Sequence, residues 1–243
     1  MKIDVEKAER DRINKIAQHF SMLDGFNGYM TKYRVETVLA NCPRGTLLDI
    51  GSADAAMAEA LHEFYDRIVA VEGSQLLIEK AVARLPNIKN IEYVCVMIEE
   101  FETDDRFDVV LLSFILEHVE DPVAIAQKAA TFLKPGGTLF VMVPNANSLH
   151  RRVGKCLGLI PELDALNATD IRQGHRRVYT PDRLRADIVQ AGMRIEREGT
   201  FFIKPFSNGQ MELIDRRIAD ALYQVSFDLP GLGSMIFILA RRG

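Results

Sequence analysis

A chain of 243 residues that is 48% hydrophobic and 26% charged has the make-up of a soluble globular protein with a sizeable core. Its net charge of −4 speaks against a nucleic-acid partner, and no apolar run reaches the roughly 18 residues of a membrane span. Three cysteines, Cys42, Cys95 and Cys156, are odd in number and lack metal-ligand spacing; they fit a reducing cytoplasm and give no expectation of a metal.

The N-terminal residues 1–12 mix charge with scattered apolar positions and carry no signal-peptide core. Ile13, Ile16, Ala17 and Phe20 recur at helical spacing, which predicts a helix within 3–20. Gly25 and Gly28 are expected to break it, and a second helix is predicted over 29–39, stopped by Pro43 and Gly45. Strands and helices then alternate. Strands are predicted at 46–50, 68–71, 91–97, 107–113 and 138–143, with helices at 55–64, 74–84 and 123–133 between them. Pro122 suits a helix first turn, and Lys134-Pro135-Gly136-Gly137 reads as a turn. Short, near-continuous apolar strands separated by helices indicate a parallel sheet covered on both faces, hence a doubly wound α/β fold. Residues 145–177 are too long for a plain loop and are expected to carry short helices of their own as a cap. Helices at 182–191 and 211–225 and strands at 194–202 and 234–241 complete the chain, the two late strands forming an antiparallel pair at the sheet edge.

The chemistry concentrates at Leu47-Leu48-Asp49-Ile50-Gly51-Ser52-Ala53-Asp54-Ala55. An apolar strand ends in an acid, small residues follow, and a helix begins, so backbone N–H groups and close approach are both on offer to a nucleotide-like ligand. Glu72 ends the next apolar run, near the roughly 20-residue offset at which an acid meets a ribose.

With Leu48-Asp49-Ile50-Gly51, Val71-Glu72-Gly73, Leu116-Glu117-His118-Val119-Glu120-Asp121-Pro122 and Leu133-Lys134-Pro135-Gly136-Gly137, the chain resembles the class I S-adenosylmethionine-dependent methyltransferases from about Tyr29 onward. The resemblance implies a Rossmann-like, mostly parallel seven-stranded sheet with helices on both faces and a helical cap. It implies one domain: a helical lid over 1–40, a cofactor-binding core over 41–144, the cap over 145–177 and the C-terminal half of the fold over 178–243. It places Asp49, Gly51, Ser52 and Ala53 against the methionine part of S-adenosylmethionine, and Glu72 with Gly73 at the ribose. Met97 and Ile98 fall at the adenine, Ser113 and Phe114 beside the sulfonium, and Tyr29 and Arg34 at the cofactor carboxylate. S-adenosylhomocysteine is the implied product.

Two positions depart from that pattern. Ala53 and Ala55 stand where the family prefers glycine, and alanine disfavours positive φ. The loop is therefore expected to run in ordinary backbone conformations, or the cofactor to sit further out. Met97 replaces a frequent Asp, so a backbone carbonyl or Glu99 would have to meet the adenine amino group.

His118 either locks the turn before Pro122 or removes the acceptor proton, and His175 is the second candidate base. Arg151, Arg152 and Arg176 are the candidates for holding an anionic group on the acceptor, the alternative being a solvated basic surface or salt bridges to Glu162, Asp164 and Asp170. The resemblance implies methyl transfer to an oxygen or nitrogen of a small metabolite by a cytoplasmic enzyme, without nucleic acid or membrane, and with a homodimer as a possible assembly. A catalytically silent cofactor-binding member of the fold is the alternative reading. A nicotinamide-dependent oxidoreductase is the other, although Ala53 and Ala56 fill two glycine positions of its fingerprint.

Overall fold

The computed structural model describes residues 2–19 and 21–243, with side chains from Glu9 onward; Phe20, assigned above to the first apolar stripe, lies outside the described residues. Two helices, α1 (Lys2–Ala17) and α2 (Gly25–Asn41), precede the sheet. The core then runs β1 (Thr46–Ile50), α3 (Ala56–Leu61), β2 (Arg67–Glu72), α4 (Gln75–Arg84), β3 (Ile91–Cys95), β4 (Phe107–Ser113), α5 (Pro122–Thr131) and β5 (Leu133–Pro144). The cap contributes α6 (Leu149–Cys156) and α7 (Ala168–Arg172). After it come α8 (Pro181–Gln190), β6 (Met193–Phe201), α9 (Asn208–Met211), α10 (Arg216–Val225) and β7 (Met235–Arg242).

The strands form a 7-stranded sheet in the order β3-β2-β1-β4-β5-β7-β6. The first five are parallel, and β7 inserts antiparallel between β5 and β6. Alternate residues of a strand point to opposite faces, so a strand covered on both sides must be apolar at every position. Leu47, Ala70, Val109, Leu111 and Phe140 pack on one face with α2 and α3. Leu48, Val69, Val71, Val110 and Leu112 pack on the other with α5 and α8. The strand order reverses between β1 and β4, and it is outside the carboxyl ends of strands at such a switch that open α/β sheets bind ligands.

Three local expectations are corrected. Gly28 does not break the helix but lies inside α2, where a Cβ would sit 2.0 Å from the Leu23 carbonyl oxygen, so glycine admits the preceding turn against the helix. The Lys134–Gly137 stretch is no separate turn but a bulge inside β5: Leu133 pairs with Phe107 and Thr138 with Val109, two partner residues spanning five. The loop after β1 does not avoid positive φ: Ala53 stands at 50° and Ala55 at 58°. Tertiary bonds overrule the local preference, since the Ala53 N–H donates to Glu72 and Arg84 donates to the Asp54 carbonyl. Holding a non-glycine residue left-handed costs roughly 1–2 kcal/mol, and glycine's extra freedom in the unfolded chain returns about 0.4–1 of it. Ala53→Gly is therefore expected to stabilise the fold by about 0.5–1 kcal/mol in denaturant unfolding; a loss of stability would contradict the strain.

Candidate functional site

The carboxyl ends of β1, β2 and β4 open on a cavity of about 1060 Å³. Ile13 and Ile16 of α1, Arg151 and His175 of the cap, and Lys204 after β6 close its other sides. Pockets for one drug-sized ligand run to about 300–1,000 Å³, so this one stands at the upper end of that range.

One end is acidic. Asp49 is buried at the end of β1, and its Oδ2 has no hydrogen-bond partner. Glu72 ends β2, where its Oε2 accepts from the Ala53 N–H at 3.0 Å and its Oε1 from the Ser74 N–H at 2.9 Å. A carboxylate oxygen has a second lone-pair site, so each remains open to one hydroxyl of a vicinal diol. The Ser52 and Ser113 hydroxyls are likewise without protein partners. Two glycines shape the approach. A Cβ on Gly51, at φ +72°, would meet Ile115 at 2.8 Å, and one on Gly73 would meet the Met97 sulfur at 2.6 Å. Met97, Ile98 and Glu99 line the wall beyond. An acid with open lone-pair sites, a second unpartnered acid and a sulfur-lined wall are chemically suited to S-adenosylmethionine.

Burial pushes the Asp49 carboxyl up to about 7, the negative charge of Glu72 adding to the shift. An unfolded Asp titrates near 3.9, so between about pH 4 and 7 the folded protein holds the extra proton and stability falls as pH rises. A cationic ligand group at Asp49 must displace that proton, so its affinity rises with pH over the same window, by at most about tenfold per unit. Calorimetry of S-adenosylhomocysteine binding between pH 5.5 and 8 checks this; tightening that persists in Asp49→Asn would assign the linkage to another group.

The middle of the cavity is made by the turn after β4. Phe114 sits at φ 58°, a strained conformation that ends the strand and turns the chain. Arg34, fully buried on α2, lies over the Phe114 ring at 4.5 Å and bonds Asn27 at 3.4–3.5 Å. Glu117 is 1% exposed, both its oxygens lack partners, and burial pushes its pKa up to about 7 against the pull of His175 and Arg34. His118 is held neutral: burial, with His175 beside it, lowers its pKa to about 3. Its ring meets that of His175 edge-on at 4.8 Å, and His175 Nδ1 lies 3.3 Å from Asp170. The donor atoms of Glu117, His118 and His175 all lie within 4.8 Å of one another, one donor short of the four that close a structural zinc site.

Of the residues singled out in the sequence, Asp49, Gly51, Ser52, Ala53, Glu72, Gly73, Met97, Ile98, Ser113, Phe114, Arg34, His118 and His175 all line this cavity. Tyr29 does not; it packs on Phe26 and Tyr33 beneath Arg216, 3.8 Å from its ring centre. The arginines stitch the chain to itself. Arg151 lines the cavity, yet its guanidinium bonds the Leu163 and Ala165 carbonyls and Asp170. Arg152 bonds the Asn147 carbonyl, outside the cavity lining. Arg176 joins the His118 carbonyl to Glu9 of α1 and is no part of the lining either. Arg12 of α1 reaches the carbonyls of Gly174 and His118, so α1 is fastened across the same turn. Sequence reasoning missed Glu117 and Lys204. Glu117 could have been read from its place inside the Leu-Glu-His-Val motif; nothing around Lys204 marks it.

A family model described as a methyltransferase domain matches residues 27–198. A ubiquinone biosynthesis O-methyltransferase of Bradyrhizobium sp. (strain ORS 278) is 37% identical over 111 residues, which is 44% of this chain and 43% of that protein. The chain thus matches less than half the length of this relative. A protein of the same name from Pseudoalteromonas translucida (strain TAC 125) is 25% identical over 222 residues, 84% of this chain and 89% of that one. Among solved structures, the N-methyltransferase NodS of Bradyrhizobium japonicum WM9, in complex with S-adenosylhomocysteine, superposes with a TM-score of 0.58. It is 14% identical and covers 91% of this chain and 90% of its own, a likeness of fold. Among the described residues, no helix is long and apolar enough to cross a membrane.

Proposed function

The chain belongs to the class I S-adenosylmethionine-dependent methyltransferases, and from that premise we propose that it transfers the methyl group to an oxygen of a small molecule. The observation that carries the choice of oxygen is Glu117, a buried carboxyl with two unpartnered oxygens on the cavity wall and a pKa near neutrality. A hydroxyl is a poor nucleophile until its proton leaves, and a base poised near pH 7 removes that proton most effectively. The relatives named as O-methyltransferases support the same choice.

S-adenosylmethionine supplies a methyl group already activated on a sulfonium. The protein's part is placement. Asp49 and Glu72, at the ends of β1 and β2, would hold the cofactor, with Arg34 for its carboxylate and Ser113 and Phe114 on the side of the reacting centre. Glu117 accepts the acceptor's proton. His118, neutral and weakly basic, lines the cavity beside Glu117 together with His175. The first helix serves as a lid that excludes water, fastened by Arg12 and Arg176. The acceptor enters under the cap.

The test is a label-transfer assay with methyl-labelled cofactor and a panel of phenols, alcohols and amines. Label in phenols or alcohols is the expected outcome. Transfer confined to amines would overturn the choice of oxygen. Binding of S-adenosylhomocysteine with no transfer to any acceptor would favour the silent-member reading.

A further inference from the structure

The cap end of the cavity holds a buried cation that methyl transfer itself does not use. Lys204 follows β6, is only 8% exposed, and lines the same cavity as the acidic strand ends. Its ammonium donates to the Asn208 side-chain oxygen and lies 5.0 Å from the centre of the Phe26 ring. Both partners are neutral. Among the described residues no carboxylate forms an ion pair with it. Asp170, the acid whose field reaches it, is taken up by Arg151 at 3.2 Å, His175 at 3.3 Å and the Asn167 N–H at 2.9 Å. Burial pulls the Lys204 pKa down to about 8, which records how poorly the charge is compensated. A buried charge without a counter-ion is costly, and chains avoid one unless a ligand supplies the partner. Beside it His150 is half-buried and held neutral, with its buried Nδ1 unpartnered.

We propose that Lys204 is the anchor for a carboxylate on the methyl acceptor, with Asn208 and His150 completing its hydrogen bonds. This rests on the methyl-transfer reading of the cavity. A monoanion is favoured over a phosphate because one ammonium supplies one charge. The Arg151 guanidinium, the fork nearest in kind to what phosphate recognition draws on at the cap, is engaged: each of its nitrogens bonds the chain itself. The polarity also sets direction. Acids crowd the strand ends at Asp49, Glu72 and Glu117, so an acceptor with its carboxylate on Lys204 turns its other end towards Glu117. Phe26 and Ile160 are among the apolar residues lining the same cavity.

The experiment titrates the complex with S-adenosylhomocysteine by calorimetry, using the isosteric pair 4-hydroxybenzoate and 4-hydroxybenzamide, with phenyl phosphate as a third probe. The acid is expected to bind at least about tenfold more tightly than the amide. That preference should vanish in Lys204→Met and survive in Lys204→Arg, while the affinity of both variants for S-adenosylhomocysteine stays that of the parent. Equal binding of acid and amide, or no binding of either at millimolar concentration, overturns the proposal. So does an acid preference that persists in Lys204→Met. Phenyl phosphate binding more tightly than the benzoate overturns the choice of carboxylate. Intact binding of S-adenosylhomocysteine in any of these cases leaves the methyltransferase reading standing, whereas its absence from the parent protein strikes that reading instead.

Discussion

Glu72→Ala is expected to weaken S-adenosylhomocysteine binding by about a hundredfold, roughly 2.8 kcal/mol. The carboxylate does two things at once. It accepts the N–H groups of Ala53 and Ser74, which fixes the loop after β1 against the loop after β2. It also keeps one lone-pair site open on each oxygen, which the proposed function gives to the ribose hydroxyls. Hydrogen bonds to a charged acceptor contribute about 1.5–3 kcal/mol each, so losing two with some slackening of the loop reaches the stated size. Glu72→Gln should come close to the alanine variant. An amide has a single acceptor oxygen, and its NH₂ would oppose one of the two backbone N–H groups. Calorimetry gives the affinities, and thermal unfolding of the unliganded variants separates loss of the site from loss of the fold. An affinity within threefold of the parent's, with the fold intact, would remove Glu72 from the cofactor site.

The parts of this site that were legible in the sequence are those whose signal is local. Asp49 and Glu72 each end an uninterrupted apolar run, and a strand buried on both faces tolerates a charge only at its end. Pro122 foretold the start of α5, and the structure adds Asp121, whose side chain accepts from the Ala124 N–H as a cap. What was not legible depends on contacts far along the chain. Ala53 and Ala55 look like residues that exclude positive φ until Glu72 and Arg84 are seen to hold the loop. For the basic run His150 to Arg152 and His175 to Arg177, the pairing of Arg151 with Asp170 was among the alternatives the sequence offered, but the bonds to backbone carbonyls were not. Arg177 bonds the carbonyls of Leu116, Val119 and Glu120, and backbone acceptors leave no acidic residue in the sequence to announce them. Lys204 inverts that case: an ordinary surface residue type by composition, it becomes a buried cation only because Phe26 and the cap close over it.

Glu117→Gln should lower kcat for a hydroxyl acceptor by about 10²–10⁴-fold while leaving KM and cofactor affinity near those of the parent. The amide keeps the volume of a side chain that is 1% exposed and forms no hydrogen bond, so the fold loses little. What is lost is the site that takes the proton. Burial holds the Glu117 carboxyl protonated below about pH 7, so the parent's kcat should rise as pH passes through that value and level off above it. In the Gln variant that limb disappears. His118 cannot stand in, because its pKa near 3 leaves it a feeble base at pH 7. His118→Gln should therefore keep the pH limb and change the rate only through the packing of Glu117 against His175. A Glu117→Gln variant with the parent's kcat would end the base assignment. Activity of the parent enzyme lost to a chelator and restored by a divalent cation would reassign Glu117, with His118 and His175, to holding that ion.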